Sequence, residues 1–165
     1  MALYNDPILD KIKTVIDAAD GGAIKKFFQG DPLVIAKSDL PCLIISKDTS
    51  EIGDESNAED YHRMVVVLTL VSDIRQQLGD TPINIHAGSS KLYEIMEKRS
   101  SSDFTLDSTS ILDIIRSNTN LGNNAHIDLK APMTLDYGFT IGKRGPKHWA
   151  WEANLSFNVY FTQLR

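Results

Sequence analysis

Four histidines, a cluster of acids, one cysteine and one basic turn are the residues in this chain that could carry chemistry. The histidines are His62, His86, His126 and His148. Zinc sites group their ligands at short spacing, as in HExxH or paired Cys and His motifs. None of the four has such a partner, so a zinc site would have to be assembled from distant residues. His62, next to Arg63, reads as a strand-edge contact, and His86 as a local cap or partner. The acids lie in the thirteen-residue stretch "DTSEIGDESNAED", which holds six of them and no base: Asp48, Glu51, Asp54, Glu55, Glu59 and Asp60. An EF-hand loop needs ligands at alternate positions, a central glycine and a distal glutamate, and this spacing does not fit. With Ile52 its one strongly apolar residue, the stretch reads as a solvated loop or mobile hairpin tip that faces a partner.

Nucleophile motifs are missing. There is no GxSxG elbow and no SxxK. "GSSK" at 88–91 lacks the two spaced glycines of a phosphate-binding loop, and Leu92 stands where Ser or Thr would follow the lysine. Its serines read as helix caps. Cys42 sits inside "LPCLII", where it reads as a small buried hydrophobe; a reactive thiol wants an electropositive, partly exposed setting. A single cysteine allows no internal disulfide. No catalytic, cofactor-binding or metal-binding residue is assigned.

The basic turn "GKRGPKH" carries Lys143, Arg144, Lys147 and His148, followed by Trp149 and Trp151. Such a loop can meet phosphate or an acidic partner surface, or simply be solvated. Aromatics beside Lys and Arg can also stack on bases. The net charge of −5 argues against a general nucleic-acid binder, which needs a cationic surplus. Trp149 and Trp151 share one face of a strand, as core or as an apolar surface for a neighbour.

These residues need a scaffold, and the chain supplies one domain over 1–165. Hydrophobic content of 42% and charged content of 24% are ordinary for a globular protein. The N-terminus lacks the basic and apolar regions of a signal peptide, and no run approaches a membrane span. The expectation is folding in a reducing cytoplasm. Asn5 or Asp6 caps a first helix with Pro7 at its start, and Ile8, Leu9, Ile12, Val15, Ile16 and Ala19 form its apolar stripe. Gly21 and Gly22 end it. "AIKKFF", "LVIA" and "CLIIS" read as short strands, the last apolar on both faces and so covered twice. "YHRMVVVLTLVSDI" reads as a long central strand. Helices follow over "GSSKLYEIMEKRSS", capped by Ser89 or Ser90, and "DSTSILDIIRSN", capped by Ser108 or Ser110. "AHIDLKAP" and "MTLDYGFTI" are strand candidates, and the latter makes a hairpin through 142–148 with "WAWEANLSFNVYF". That last strand alternates most cleanly, with Trp151, Leu155, Phe157 and Val159 toward the helices. The pattern is α+β: a mainly antiparallel or mixed sheet with helices on one face.

The order of "FFQGDPLVI", "DLPCLIIS", the acidic loop, "YHRMVVVLTLVSDIR", helices and "WEANLSFNVYF" resembles the tail terminator proteins of long-tailed bacteriophages. The "LPC" step into a strand and the aromatic final strand carry the likeness most closely. Other head–tail joining and tail-completion proteins share the architecture. The resemblance implies a structural virion protein without enzymatic activity, assembled in the host cytoplasm and found at the head–tail junction. It would form a ring, hexameric in that group, that caps the completed tail tube and offers the docking surface for the filled head. Its partners would be itself, the tube protein and a head-completion or connector protein, with DNA only passing through the lumen and no membrane. The candidate contact residues are the six acids together with Lys143, Arg144, Lys147, His148 and Trp149. A small metal-dependent hydrolase and a nucleic-acid-binding module are the competing readings.

Overall fold

The computed structural model describes residues 5–56, 59–73, 85–145 and 149–164, except the side chains of 54–56, 85–88 and 164. In chain order the elements are α1 (Pro7–Ala19), β1 (Lys26–Gln29), β2 (Cys42–Ser56), β3 (Glu59–Asp73), α2 (Ile85–Glu97), α3 (Ile111–Ser117), β4 (Asn120–Gly122), β5 (Ala125–Ile127), β6 (Thr134–Ile141) and β7 (Trp149–Leu164). The fold is α+β. The sheet has seven strands in the order β1-β2-β3-β7-β5-β4, and β6 pairs with β7 ahead of β5 on the same side. Among the described residues only β1 and β2 run parallel; every other pair is antiparallel.

The two long strands sit side by side at the centre. Met64, Val66, Leu68 and Leu70 of β3 stand opposite Val159, Phe157, Leu155 and Ala153 of β7. Leu43 and Ile45 of β2 extend the same layer. Side chains alternate in a strand, so this register puts all of these residues on one face. There they meet Ile12 and Ile16 of α1, Leu92, Ile95 and Met96 of α2, and Ile111, Ile114 and Ile115 of α3 in one buried cluster. Each large aliphatic side chain buried this way stabilises by about 1.5–3 kcal/mol.

Local chemistry sets the helix ends. Asp6 caps α1 by accepting from Ile8 N at 2.9 Å, and Pro7 fills the first helical position, where no N–H is needed. The helix stops at Asp20, whose carboxylate accepts from Gly22 N and Ile24 N. Gly21 takes φ +66° to turn the chain away, a conformation that glycine adopts without penalty. Ser110 caps α3 by accepting from Asp113 N. Ser89 and Ser90, expected as caps, lie inside α2, which begins at Ile85.

A second, smaller apolar cluster lies on the opposite sheet face. Cys42 and Ile44 of β2, Val71 of β3 and Ala150 of β7 are covered there by Ile35 and Leu40. This explains the apolar run Cys42–Ile45, which is buried on both sides. The expected strand "LVIA" is instead irregular chain; only Ile35 points inward, while Leu33 and Val34 are exposed.

Of the two expectations for the acidic stretch, a solvated loop or a hairpin tip, the structure shows the hairpin. It is strand through Ser56 and again from Glu59, so most of it is paired β-hairpin. Pairing with β3 holds it in place of apolar alternation, in register from Thr49↔Val65 to Gly53↔Tyr61. "AHIDLKAP" contributes only Ala125–Ile127, beside the unforeseen short strand β4.

Candidate interaction surface

Three strands run on beyond the fully buried core, with Phe161 of β7 still packed against it beside Pro7 and Ile8 of α1. In β2 beyond Ser46, in β3 before Met64 and in β7 beyond Val159, full burial gives way to partial or complete exposure. Together these segments form a projecting arm. One row across it is Ile52, His62 and Phe161; the row on the other face is Glu51, Arg63, Tyr160 and His126. Ring stacking braces both faces. His62 stacks on Phe161 at 4.6 Å between centroids. Tyr61 stacks on Tyr160 at 6.4 Å, and His126 lies against Tyr160 at 5.6 Å. Two of the four histidines are thus structural ring partners. His86 falls in α2 with its side chain outside the description, and His148 lies outside the described residues.

The arm carries all six acids. Asp48 sits at a register shift between Lys47 and Thr49 and is exposed, as is Glu51 opposite Arg63. Asp54 stands opposite Asp60, and Glu55 lies at a second shift before Ser56↔Glu59. Since β1 pairs with β2 only through Ile45, the outer edge of β2 from Ser46 onward has no neighbouring strand among the described residues. Bulges and charges along an open edge discourage unwanted strand pairing.

The basic turn divides differently from its sequence reading. Gly142, at φ +70°, opens it. Lys143 is half-exposed and donates to Glu152 Oε2 at 2.9 Å. Arg144, expected as a partner-facing residue, is only 3% exposed. It turns inward because Glu152 waits on β7: Arg144 Nε donates to Glu152 Oε1 at 2.8 Å. Its guanidinium also pairs with the Asp31 carboxylate and donates to Pro32 O. Burial works against the charge, yet the two carboxylates outweigh it and hold the guanidinium above its ordinary pKa. The Arg144 carbonyl accepts from Ile35 N at 3.2 Å. Lys147, like His148, lies outside the described residues. Trp149 is 40% exposed and meets Phe139 edge-on at 6.2 Å, while Trp151 is partly buried against the main core.

Sequence reasoning missed Glu152 and Asp31. One signal was present: Glu152 is the only charged residue on the otherwise polar or small face Ala150, Glu152, Asn154, Ser156, Asn158 of β7.

Cys42 is buried, and burial pushes its thiol up to about 12, with Arg144 pulling the other way. A thiol held protonated in this way is a core residue, not a nucleophile. Among the described residues no group of three or more His, Cys, Asp or Glu is placed to hold a metal ion. Among the same residues no helix is long and apolar enough to cross a membrane. No protein-family profile matches the chain, and no curated protein is significantly similar to it.

Proposed function

We propose that this chain is a structural assembly protein that works as a ring at the head–tail junction of a long-tailed phage, capping the tail tube and receiving the head. The observation that carries this reading is the arm. It is a paired, aromatic-braced, acidic three-stranded projection rooted in the core through Phe161, which packs beside Ile8 of α1. Beyond that root its residues are partly or fully exposed. Its physical use is contact with another molecule. The arm is unevenly charged, with six acids against Lys47 and Arg63. A net acidic patch suits head-to-tail packing, in which one patch of a subunit meets a different patch of the next. A ring of net acidic subunits also repels DNA from its lumen wall, so that DNA passes without sticking.

In this reading the arm is ordered further by contact with a neighbour or with the tube end, so assembly waits for a template. The test is native mass spectrometry over a concentration series, with negative-stain imaging of the same samples, alone and with tail tubes. A closed ring, free or on tube ends, is the expected outcome. A monomer that binds neither tubes nor connectors would end the proposal. Binding to connectors alone would move the assignment to another head–tail joining protein.

A further inference from the structure

Leu33 and Val34 are 90% and 68% exposed, side by side at the crest of the segment that crosses the sheet face away from the helices. Exposed aliphatics on a loose loop mean little. This segment is not loose. Gly30 N donates to Ile45 O at 3.0 Å, Asp31 and Pro32 O hold the buried Arg144, and Ile35 N donates to Arg144 O at 3.2 Å while its side chain is buried. Residues on both sides of the pair are pinned, so the two side chains form a pre-organised apolar knob. Pre-organisation removes an ordering cost from any contact the knob makes.

An open recess lies elsewhere on the molecule. Leu112 of α3 and the segment Leu129–Met133 enclose an open groove of about 420 Å³, with Ala131 and Pro132 in its wall. Asp128 Oδ1 shapes the segment by accepting from Lys130 N at 2.9 Å and Ala131 N at 3.4 Å. Arg116 and Lys130 stand at the rim, both exposed, and among the described residues neither makes an ion pair. The knob is flanked by the opposite charge, since Asp31 keeps 60% of its side chain exposed beyond its bond to Arg144.

We infer that the Leu33–Val34 knob of one copy seats in the Leu112–Leu129–Met133 groove of a second copy, with Asp31 facing Arg116 and Lys130. The knob lies on the helix-free face, its segment held to Ile45 of β2 at one end and to Arg144 of the β6–β7 turn at the other, and the groove lies beside α3, which packs on the other face. Patches on opposite faces cannot both be met in a twofold pair. The contact is therefore head-to-tail, which propagates to a ring or a fibre. It deepens the ring reading by naming the surfaces, and rests on that reading only for closure.

The test traps the contact covalently. Leu33→Cys and Leu129→Cys are made in separate chains, one of them ¹⁵N-labelled, mixed and oxidised; Cys42 is buried and stays out of the reaction. Mass spectrometry should find the mixed disulfide about tenfold over either homodisulfide, because the contact raises the local concentration of that pair alone. A statistical mixture, or no disulfide, overturns the proposal. In parallel, Leu33→Asp and the double change Arg116→Glu/Lys130→Glu should each weaken association about tenfold while leaving the unfolding midpoint in place. Rings that persist in Leu33→Asp would overturn the knob contact and leave the ring reading standing. A dominant mixed disulfide on open chains only would support the contact and remove the closed ring.

Discussion

Arg144 and Glu152 meet across the turn between β6 and β7 with both side chains buried, Nε to Oε1 at 2.8 Å. The pair does more than close a hairpin. Through Asp31 it reaches 113 residues back along the chain and straps the segment over Ile35 onto the sheet. Each carboxylate oxygen of Glu152 is used, one by Arg144 and one by Lys143.

Breaking this pair from one side should be costly, because it strands a buried charge. Glu152→Ala is expected to lower stability by about 3 kcal/mol in urea unfolding, within the range for buried ion pairs. The double change Arg144→Met/Glu152→Leu should recover most of that loss. Lys143 is half in solvent, so Lys143→Ala should change stability by no more than about 0.5 kcal/mol. A loss below about 1 kcal/mol for Glu152→Ala would mean that the strap is not held by charge.

The Cys42 thiol should be silent in the folded protein and titrate late. Its folded value, pushed by burial to about 12, lies above the ordinary value of 9.0. Its contribution to stability is therefore complete below pH 9 and is lost as pH rises toward 12. In that window the slope should approach about 1.4 kcal/mol per pH unit. Unfolding curves for wild type and Cys42→Ala, taken at several alkaline pH values, should diverge in slope accordingly. Tyr137 acts in the same direction in both proteins, since burial and its 2.7 Å bond to Glu97 raise its pKa. Rapid labelling of the native protein by a thiol reagent at pH 8 would contradict this account.

Removing residues 158–165 should unfold the domain. The deleted segment contains Val159, which is fully buried, and the β7 partners of β3 from Glu59 to Val65. Circular dichroism of the truncated chain should show no cooperative transition. The milder change Phe157→Ala should cost about 3–5 kcal/mol and keep one. A truncated chain that melts sharply would show that the arm end of β7 is dispensable.

The arm should report assembly. Amides of 49–53 and 59–63 lie where burial is lost, whereas 66–71 lie over the core. In the free protein the first set should exchange at least about tenfold faster by hydrogen–deuterium exchange. Protection should rise on the arm when assemblies form. Equal exchange before and after assembly would remove the arm from the interface.

Much of the scaffold is legible in the sequence where one face is buried. α1, β3 and β7 each carry a regular buried stripe toward the main core, which writes a period of 3.6 or 2 into the residues, although β3 and β7 also bury Val71 and Ala150 on the other face. The acidic half of β2 left no such mark, because both of its faces are outside the helices and only its ladder to β3 makes it a strand. "LVIA" misled for the opposite reason: its apolar residues are not on one face, and two of them point to solvent. Arg144 read as surface because its neighbours are polar and glycine-flanked. What buries it is Asp31, far away in sequence, and Glu152 across a turn. Long-range charge pairing leaves no local period. Trp149 and Trp151 share a face as expected, yet only Trp151 reaches the main core.

The place of β3 in the sheet also bears on how the chain comes together during synthesis. β2 and β3 are neighbours in sequence and can pair early. The second partner, β7, follows much later; Thr69 and Asn154, which hydrogen-bond across that seam, are 85 positions apart. In the interval a nascent hairpin carries Met64, Val66, Leu68 and Leu70 on a bare face beside an open edge, the surface that aggregates or is held by chaperones. Yield in the cell should therefore track how quickly β7 is delivered more than how stable the finished domain is.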